Sequence, residues 1–265
     1  MKIALKLAYL GDGYYGFQRQ PNLVTIDLEV RKALANIGVL DGDFEYAGRT
    51  DRGVSALGQV IDFQIDVEKA NLARPRCVNG RLPRDIWAWA SASVPESFDS
   101  RRSAIWREYR YILWHPGLDL ELMRSAAEQL LGEHDFRNVS SCKDDTVRRI
   151  MRLDVAEQDG LFIFDIRADG FLWNMVRKIV CALEKIGARE KEPEWIDDLL
   201  NIGLNCGAPT APAEGLILMD VGYEGIEWQV DEYSMKRAAK MLISTVQRRM
   251  ASAQVARMMQ RAMGL

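Results

Sequence analysis

Histidine is scarce in this chain, since only His115 and His134 occur among its 265 residues. A histidine-based metal centre or a carboxylate–histidine proton relay is therefore disfavoured, and acid–base chemistry is expected from carboxylates, tyrosine or arginine. The four cysteines lie far apart and none has Cys-x-x-Cys spacing, so neither a zinc site nor a disulfide framework is indicated. This pattern is typical of free thiols in a reducing cytoplasm.

Long apolar runs are also missing. No segment approaches the ~20 continuous apolar residues that cross a bilayer. The N-terminal segment alternates apolar and polar residues and loses its apolar character at Gly11, unlike the core of a signal peptide. With 48% hydrophobic and 28% charged residues, the composition is that of a globular protein. We expect one large domain or two small ones and no membrane segment.

Charge of one sign does not dominate, because the chain has 35 Lys and Arg residues and 38 Asp and Glu residues, which gives a net charge of −3. The strongly basic balance of many nucleic-acid-binding domains is absent. The distribution is uneven, however. Residues 231–265 carry seven basic and two acidic side chains, a local +5 that leaves −8 for the first 230 residues. Local basic surfaces on an acidic body are therefore predicted.

Two successive units show a similar order of predicted elements. In the first, the pattern predicts a strand over 2–10, a helix capped by Thr25, and strands over 43–47 and 57–66. In the second, it predicts a strand over 109–115, a helix over 119–131, a hairpin of 150–157 with 161–168, and a helix from about 171 to 186. A helix over 193–202 and a strand over 216–223 follow, and Ser234 can cap a basic helix in the tail. This repetition predicts a duplicated fold whose two sheets pair edge to edge, with the boundary within residues 84–107.

The most informative segment is the polar loop Gly48-Arg49-Thr50-Asp51-Arg52-Gly53 between two predicted strands. It places one carboxylate between two arginines and two glycines. Glycine lets a ligand approach the backbone closely, and flanking cations favour the ionised carboxylate that a nucleophile or base requires. On the residues alone, a turn with a surface ion pair is the more common role of such a loop.

A series of motifs gives this loop a context. The segment 48–56 resembles the catalytic motif of the TruA family of tRNA pseudouridine synthases, and further matches follow in the family's order. They are Tyr14–Gln20, Val78–Ile86, Phe98–Arg101, Arg107–Tyr111, Leu130–Phe136, Phe171–Arg177 and Glu214–Leu216. The resemblance covers roughly residues 2–223. Phe17 replaces a common tryptophan, and Arg52 and Ser55 replace the alanine and histidine of bacterial members, so the loop resembles the archaeal or eukaryotic variant.

The resemblance implies roles for four residues. Asp51 is expected to attack the uridine, so that the base detaches from C1′, turns and rejoins through C5; whether it first adds to the base or the sugar, or deprotonates the ribose, stays open. Tyr109 is expected to stack on the target base or steer proton movement. Arg177 is expected to pair with Asp51, and Arg49 to insert at the flipped-out position or hold a phosphate. Neither cofactor nor metal is implied. On pattern alone, Tyr109 could be an inward strand aromatic and Arg177 a helix-surface cation.

Several further cations are candidate RNA contacts. Basic residues interleaved with aromatics suit a surface that neutralises phosphates and stacks bases. A solvated strand edge is the alternative explanation of such a run. The candidates are Arg19, Arg52, Arg101, Arg102, Arg107 and Arg110.

Together, the pattern and the resemblance predict an α+β protein of two ferredoxin-like (RRM-like) subdomains whose antiparallel sheets join around a central RNA-binding cleft. The expected divisions are 1–105 with the catalytic loop, 106–232, and a basic helical extension over 233–265. The implied activity is isomerisation of uridine to pseudouridine at positions 38–40 of the tRNA anticodon arm. Cytoplasmic location and a homodimer are expected with it.

Three alternatives stay open at the level of sequence. The enzyme could act on a different RNA or position, or the chain could be a catalytically silent RNA-binding protein. A two-carboxylate hydrolase such as a nucleosidase is the third, and it is disfavoured because the loop holds a single carboxylate.

Overall fold

The computed structural model describes residues 1–40 and 42–264. Ten strands form one sheet. The strands are β1 Lys2–Tyr9, β2 Glu45–Tyr46, β3 Ser55–Gln64, β4 Ile86–Val94, β5 Trp106–Trp114, β6 Gly132–Asp135, β7 Val147–Gln158, β8 Leu161–Ala168, β9 Leu216–Gly222 and β10 Gln229–Val230. The helices are α1 Ile26–Asn36, α2 Pro75–Val78, α3 Leu120–Glu128, α4 Met175–Gly187, α5 Trp195–Leu200 and α6 Glu232–Ala262. The predicted α+β class is confirmed.

The sheet consists of two antiparallel halves with the same strand order. The N-terminal half is ordered β4-β1-β3-β2, and the C-terminal half is ordered β9-β5-β8-β7 with β6 added at its edge. Each half is built from a strand, a helix, a hairpin-like strand pair, a helix and a last strand. This order, with the last strand next to the first, is that of a ferredoxin-like unit, so the predicted duplication is present in the fold.

The two halves join through a short parallel contact between β3 and β9. Only two residue pairs form it, Ser55 with Ile217 and Ala56 with Leu218. Since the loop that carries Asp51 leads directly into β3, this contact brings the loop to the seam between the halves. Residues of β5, the neighbour of β9, and of α4 can therefore reach the loop.

Local signals in the sequence explain several element boundaries. Thr25 caps α1 by accepting the amide of Leu28 at 3.3 Å, as predicted. Between β7 and β8, Asp159 and Gly160 have φ angles of 54° and 75°. Positive φ at both central residues is the requirement of a type I′ hairpin, which Asp-Gly satisfies. The predicted hairpin is confirmed.

Strand β4 lies within the stretch 84–107 that the sequence presents as a boundary, and the sequence did not predict it. Its residues, Ile-Trp-Ala-Trp-Ala-Ser-Ala-Ser-Val, are largely alanine and serine, which have low β-propensity. The strand nevertheless forms because it pairs with β1 along its length, from Lys2 with Val94 to Tyr9 with Ile86. Tertiary pairing, rather than local preference, determines this segment.

The C-terminal helix begins earlier than expected. Asp231, not Ser234, caps α6, and its carboxylate accepts the amide of Ser234 at 2.7 Å. Ser234 instead lies buried in the first turn, where its hydroxyl accepts a hydrogen bond from Asn79 at 2.9 Å. Directly before the helix, β10 pairs with β4, so the chain returns to the N-terminal half at its end.

Opposite faces of the N-terminal half are covered by different helices. Tyr9 faces the main core, which includes α1, whereas Ala8 belongs to a separate small cluster with Trp87 and Ala238 of α6. Successive side chains of a strand point to opposite faces. Helix α6 therefore crosses the face that α1 leaves open. Over the described residues, no helix is both long and apolar enough to cross a membrane.

Candidate active site

The loop that carries Asp51 is fixed by hydrogen bonds to its flanking residues. The hydroxyls of Tyr9 and Thr50 share a hydrogen bond of 2.8 Å. The side chain of Gln59 donates to the carbonyl of Gly48 at 2.7 Å, and the amide of Phe17 donates to the carbonyl of Thr50 at 3.0 Å. Burial raises the pKa of Tyr9 well above its ordinary value, so the phenol stays neutral. These bonds hold the backbone on both sides of Asp51 in place.

Two glycines before the first helix let the chain approach this loop closely. Gly16 has a φ angle of 88°, and an added Cβ would lie 2.8 Å from the carbonyl oxygen of Thr50. At Gly11 an added Cβ would lie 2.1 Å from the carbonyl oxygen of Val54. Both contacts are with backbone, which cannot move aside as a flexible side chain can. Only glycine therefore fits at these positions.

We expect Gly11→Ala to displace the catalytic loop and to lower turnover by about tenfold or more, because misplacement of a reacting group by ~1 Å can cost 10²-fold. Single-turnover kinetics on an RNA substrate measures this effect. Gly117→Ala is the control, because an added Cβ there meets no atom within 4 Å and Gly117 lies outside the catalytic loop. Equal rates for both variants would show that the close approach of Gly11 does not position the loop.

Asp51 faces a cation from the other half of the molecule. The Nη1 atom of Arg177, in the first turn of α4, lies 3.3 Å from the Oδ2 atom of Asp51. Asp51 has 34% of its side chain exposed and Arg177 has 17%. The carboxylate is thus open to a ligand, whereas the guanidinium is largely enclosed. This geometry suits an ionised carboxylate that is held at one oxygen and free at the other.

Asn174 supports this pair, although no pattern in the sequence assigned it a role. It precedes α4 with a φ angle of 63°, a left-handed conformation that asparagine tolerates better than most residues. Its side chain accepts from Arg177 Nη1 at 3.0 Å and donates to the hydroxyl of Ser141 at 3.0 Å. Arg177 Nε also donates to the carbonyl of Ala211 at 2.6 Å. Two further segments therefore orient the guanidinium toward Asp51.

Tyr109 lies buried on β5 near the same seam. Its ring packs edge-to-face against Phe171, with centroids 5.1 Å apart. Burial raises the pKa of Tyr109 to about 12, although Arg107 lowers it, and the negative charge of Asp51 raises it further. The phenol is therefore neutral at physiological pH. It can donate a proton or offer an apolar ring face, but it cannot act there as a phenolate base.

The other cations of the loop extend outward. The side chain of Arg49 is exposed, and within residues 1–40 and 42–264 it has no ion-pair or hydrogen-bond partner. Arg52 lies over the ring of Tyr15, with its guanidinium carbon 4.4 Å from the centroid. Arg19 is exposed beside a small cavity of about 390 Å³ formed by residues 19–24 and Leu28. All three are accessible to a ligand at the loop side of the molecule.

The arginine cluster between 101 and 110 divides into two kinds. Arg101 and Arg102 are exposed, and their backbone amides donate to the carboxylate of Asp99. Arg110 forms a bidentate pair with Asp165 at 2.7 and 2.8 Å. Arg107 donates to the carbonyls of Ala47 at 3.0 Å, Arg101 at 2.6 Å and Asp169 at 3.1 Å. Its guanidinium therefore joins the start of the catalytic loop to the C-terminal half.

The site thus brings Asp51, Arg177 and Tyr109 together at the seam, with Arg49 and Arg52 at its border. Arg19, Arg101 and Arg102 stay exposed, while the charged groups of Arg107 and Arg110 are engaged within the protein. Among the residues that the structure describes, no group of three or more His, Cys, Asp or Glu side chains could hold a metal ion.

Comparisons with known proteins identify the class. The family model described as tRNA pseudouridine synthase matches residues 126–224, and relatives that cover nearly the whole chain carry the same activity in their names. A tRNA pseudouridine synthase A from Methanothrix thermoacetophila is 59% identical over 263 residues, 99% of this chain and 98% of that protein. A protein of the same name from Methanocella arvoryzae is 45% identical over 92% of this chain and 93% of that protein. The one from Pyrococcus abyssi is 42% identical over 89% of this chain and 90% of that protein.

The chain belongs to the tRNA pseudouridine synthase A family, as the motifs predict. It is an isomerase that converts uridine in tRNA to pseudouridine. Among solved structures, a Cbf5–Nop10–Gar1 complex is similar over 83% of this chain and 59% of its own, at 10% identity with a TM-score of 0.38. That likeness is too low to support any argument about this chain.

Proposed function

We propose that this enzyme isomerises uridine at positions 38–40 of the tRNA anticodon stem-loop, with Asp51 as the catalytic nucleophile. The observation that carries the proposal is the ion pair between Asp51 Oδ2 and Arg177 Nη1 at 3.3 Å, at the seam of the two halves. One carboxylate oxygen is bound by the guanidinium, and about a third of the side chain stays exposed to solvent. This is the arrangement that a nucleophilic carboxylate requires.

The reaction rearranges bonds within one nucleotide. The bond from C1′ to N1 breaks and the bond from C1′ to C5 forms, while C5 loses a proton and N1 gains one. No electron is transferred to or from another molecule. Asp51 can start the sequence by adding to the base, by adding to the sugar or by removing a ribose proton. Each of these first steps needs a carboxylate held in a fixed position, and the ion pair with Arg177 fixes its Oδ2 atom.

Tyr109 and Arg49 complete the proposed site. A base that reacts at C5 must first leave its stack and turn, so the site needs an apolar ring surface and a donor that stays protonated. The neutral phenol of Tyr109 supplies the donor, and its ring is the nearest candidate for the apolar surface once the base enters the seam. Arg49, exposed beside Asp51, is free to replace the extruded base or to bind a phosphate of the flanking backbone.

Mapping the product tests the proposed positions. An unmodified tRNA transcript is incubated with the enzyme, and pseudouridine is located by chemical sequencing. We expect conversion at uridines 38, 39 or 40, and loss of each signal when that uridine is replaced by cytidine. Conversion only outside the anticodon arm would overturn the proposed positions while leaving the isomerase activity intact.

Arg49→Ala is expected to lower kcat/KM by about tenfold to a hundredfold, because the reacting nucleotide and its phosphate are then left without this cation. Steady-state kinetics on the same transcript measures this. Arg149→Ala, which removes another exposed arginine from β7, serves as the control. A larger decrease in Arg149→Ala than in Arg49→Ala would place the RNA on a different surface.

We further propose that the enzyme acts as a cytoplasmic homodimer. Free thiols support the compartment, because all four cysteines are unpaired in the described chain. Exposed apolar residues support the dimer. Trp114 is 60% exposed and Ile112 is 37% exposed on one face of β5. Sedimentation equilibrium tests the dimer, and a single monomeric species at micromolar concentration would overturn it.

A further inference from the structure

A large cavity of the described chain lies outside the active site, between α6 and the N-terminal half. It has a volume of about 1250 Å³. One wall is formed by α6, and the other is formed by the turn Leu10–Gly13 and the segment 82–87. We call this space the α6 groove. It is open to solvent and large enough to take an extended ligand rather than a single ion.

The wall formed by α6 is polar and basic. Helix α6 has 31 residues but buries only Ser234, Ala238 and Thr245. The side chains that line the groove recur at helical spacing. They are Ser234, Arg237, Ala238, Met241, Ser244, Thr245, Arg248, Arg249 and Ser252. A helix that stabilised the fold by an apolar seam would turn aliphatic residues to this side, whereas α6 mainly turns hydroxyls and arginines.

The charge in the α6 groove is not neutralised by the protein. Four arginines line it, and the two carboxylates that line it are engaged: Asp12 pairs with Arg249, and Asp85 accepts the phenol of Tyr14 at 2.7 Å. Within residues 1–40 and 42–264, the exposed side chains of Arg84 and Arg237 have no ion-pair or hydrogen-bond partner. The groove therefore offers unpaired guanidinium groups on both walls.

The α6 groove is connected to the catalytic loop through one turn. Gly11 packs against Val54, and its amide donates to the hydroxyl of Ser55 at 3.1 Å, while Asp12 and Gly13 line the groove. Ala8 contacts α6 on one face of β1, whereas Tyr9, whose hydroxyl bonds to Thr50 of the catalytic loop, points to the other face. An RNA that occupied both would pass over this turn.

We propose that the α6 groove is a second RNA-binding surface, which takes the sugar–phosphate backbone of the tRNA outside the anticodon arm. Guanidinium groups with neighbouring hydroxyls are the side chains that bind phosphate oxygens without reading base sequence. The groove lacks the ring faces that stack single-stranded bases, since Trp87, its only aromatic lining residue in the described chain, is buried. The proposal rests on the proposed tRNA substrate and adds a surface away from the reacting uridine.

The test measures binding without turnover. Arg84→Ser and Arg237→Ser are combined, one from each wall, in the Asp51→Asn background, and the Kd for an unmodified tRNA transcript is measured by fluorescence anisotropy over a range of salt. We expect Kd to rise about tenfold and the slope of log Kd against log salt to fall by about two, one for each phosphate that is no longer neutralised. The Kd for an isolated anticodon stem-loop is expected to change less than twofold.

Lys240→Ser combined with Arg261→Ser is the matched control, because it removes the same charge from exposed positions of α6 outside the groove. An equal rise in Kd in this control would show a general charge effect and would overturn the groove. An unchanged Kd and an unchanged salt slope in the Arg84→Ser, Arg237→Ser variant would also overturn the proposed RNA-binding role of the groove. A groove variant that sediments as a smaller species than wild type would assign the groove to self-association instead. The proposed function fails separately, if wild-type enzyme converts no uridine in the arm.

Discussion

Asp51→Asn is expected to abolish pseudouridine formation, with a loss of about 10⁴-fold or more in the single-turnover rate. The amide keeps the size and most hydrogen bonds of the carboxylate but is neither a nucleophile nor a base, and removal of an essential nucleophile commonly costs this much. Chemical sequencing of the tRNA after incubation measures the loss. The Kd for tRNA should change little, because a single neutral group replaces a charge that faces a cation inside the protein.

Two further variants make this result specific. Asp51→Glu keeps the charge but moves it by about one bond, and we expect an intermediate loss of about 10²-fold. Asp66→Asn, in an exposed segment far along the chain from the loop, should retain the wild-type rate. Full conversion by Asp51→Asn would falsify the assignment of the nucleophile. Binding of tRNA by wild type and variant with conversion by neither would instead favour a catalytically silent RNA-binding protein.

Arg177→Met is the second change with a large expected effect, a loss of about 10²-fold to 10³-fold in the single-turnover rate. The variant removes the cation that lies 3.3 Å from Asp51 and keeps a side chain of similar length. Loss of one preorganised electrostatic partner at an active site typically costs this much. Rapid-quench kinetics at saturating enzyme separates this effect from any change in binding.

Arg177→Lys distinguishes catalysis from packing. The lysine ammonium keeps a positive charge near Asp51. It cannot replace the hydrogen bonds that the planar guanidinium donates to the carbonyl of Ala211 and the side chain of Asn174. We expect it to recover part of the missing rate. Asn174→Ala, which leaves the charge in place and removes one support, should lose about tenfold or less. Rates that do not differ between Arg177→Met and Arg177→Lys would mean that Arg177 serves only to anchor Ala211.

The catalytic loop could be found from the sequence because its signal is local. A lone carboxylate between arginines and glycines is contiguous, and so are the motifs that resemble the family. The pair with Arg177 depends on residues 126 positions apart, and only the resemblance indicated it. The fold class followed from the repeated element order for the same reason, since helix caps and the Asp-Gly turn act over a few residues.

The features that the sequence did not show are set by tertiary contacts. Strand β4 is held by pairing with β1, although its alanines and serines favour no strand. Asn174 was part of a recognised motif, but its role depends on Ser141 and Arg177 meeting it in space. Arg107 is predicted as an RNA contact, and its hydrogen bonds to Ala47, Arg101 and Asp169 could not be inferred from the sequence, because exposed and inward arginines share the same sequence pattern. Asparagine tolerates the left-handed conformation better than most residues, but the helix predicted from about residue 171 includes Asn174, so no local signal set it apart.

The return of the chain to β4 has a consequence for biosynthesis. Strand β10 and helix α6 leave the ribosome well after β4 and the face beside Ala8, which they cover. Until then the outer edge of β4 is an unpaired strand next to an uncovered apolar surface, a combination that invites aggregation. The N-terminal half therefore reaches its final form only after α6 has been made. Nascent chains stalled before residue 229 are the ones expected to need a chaperone.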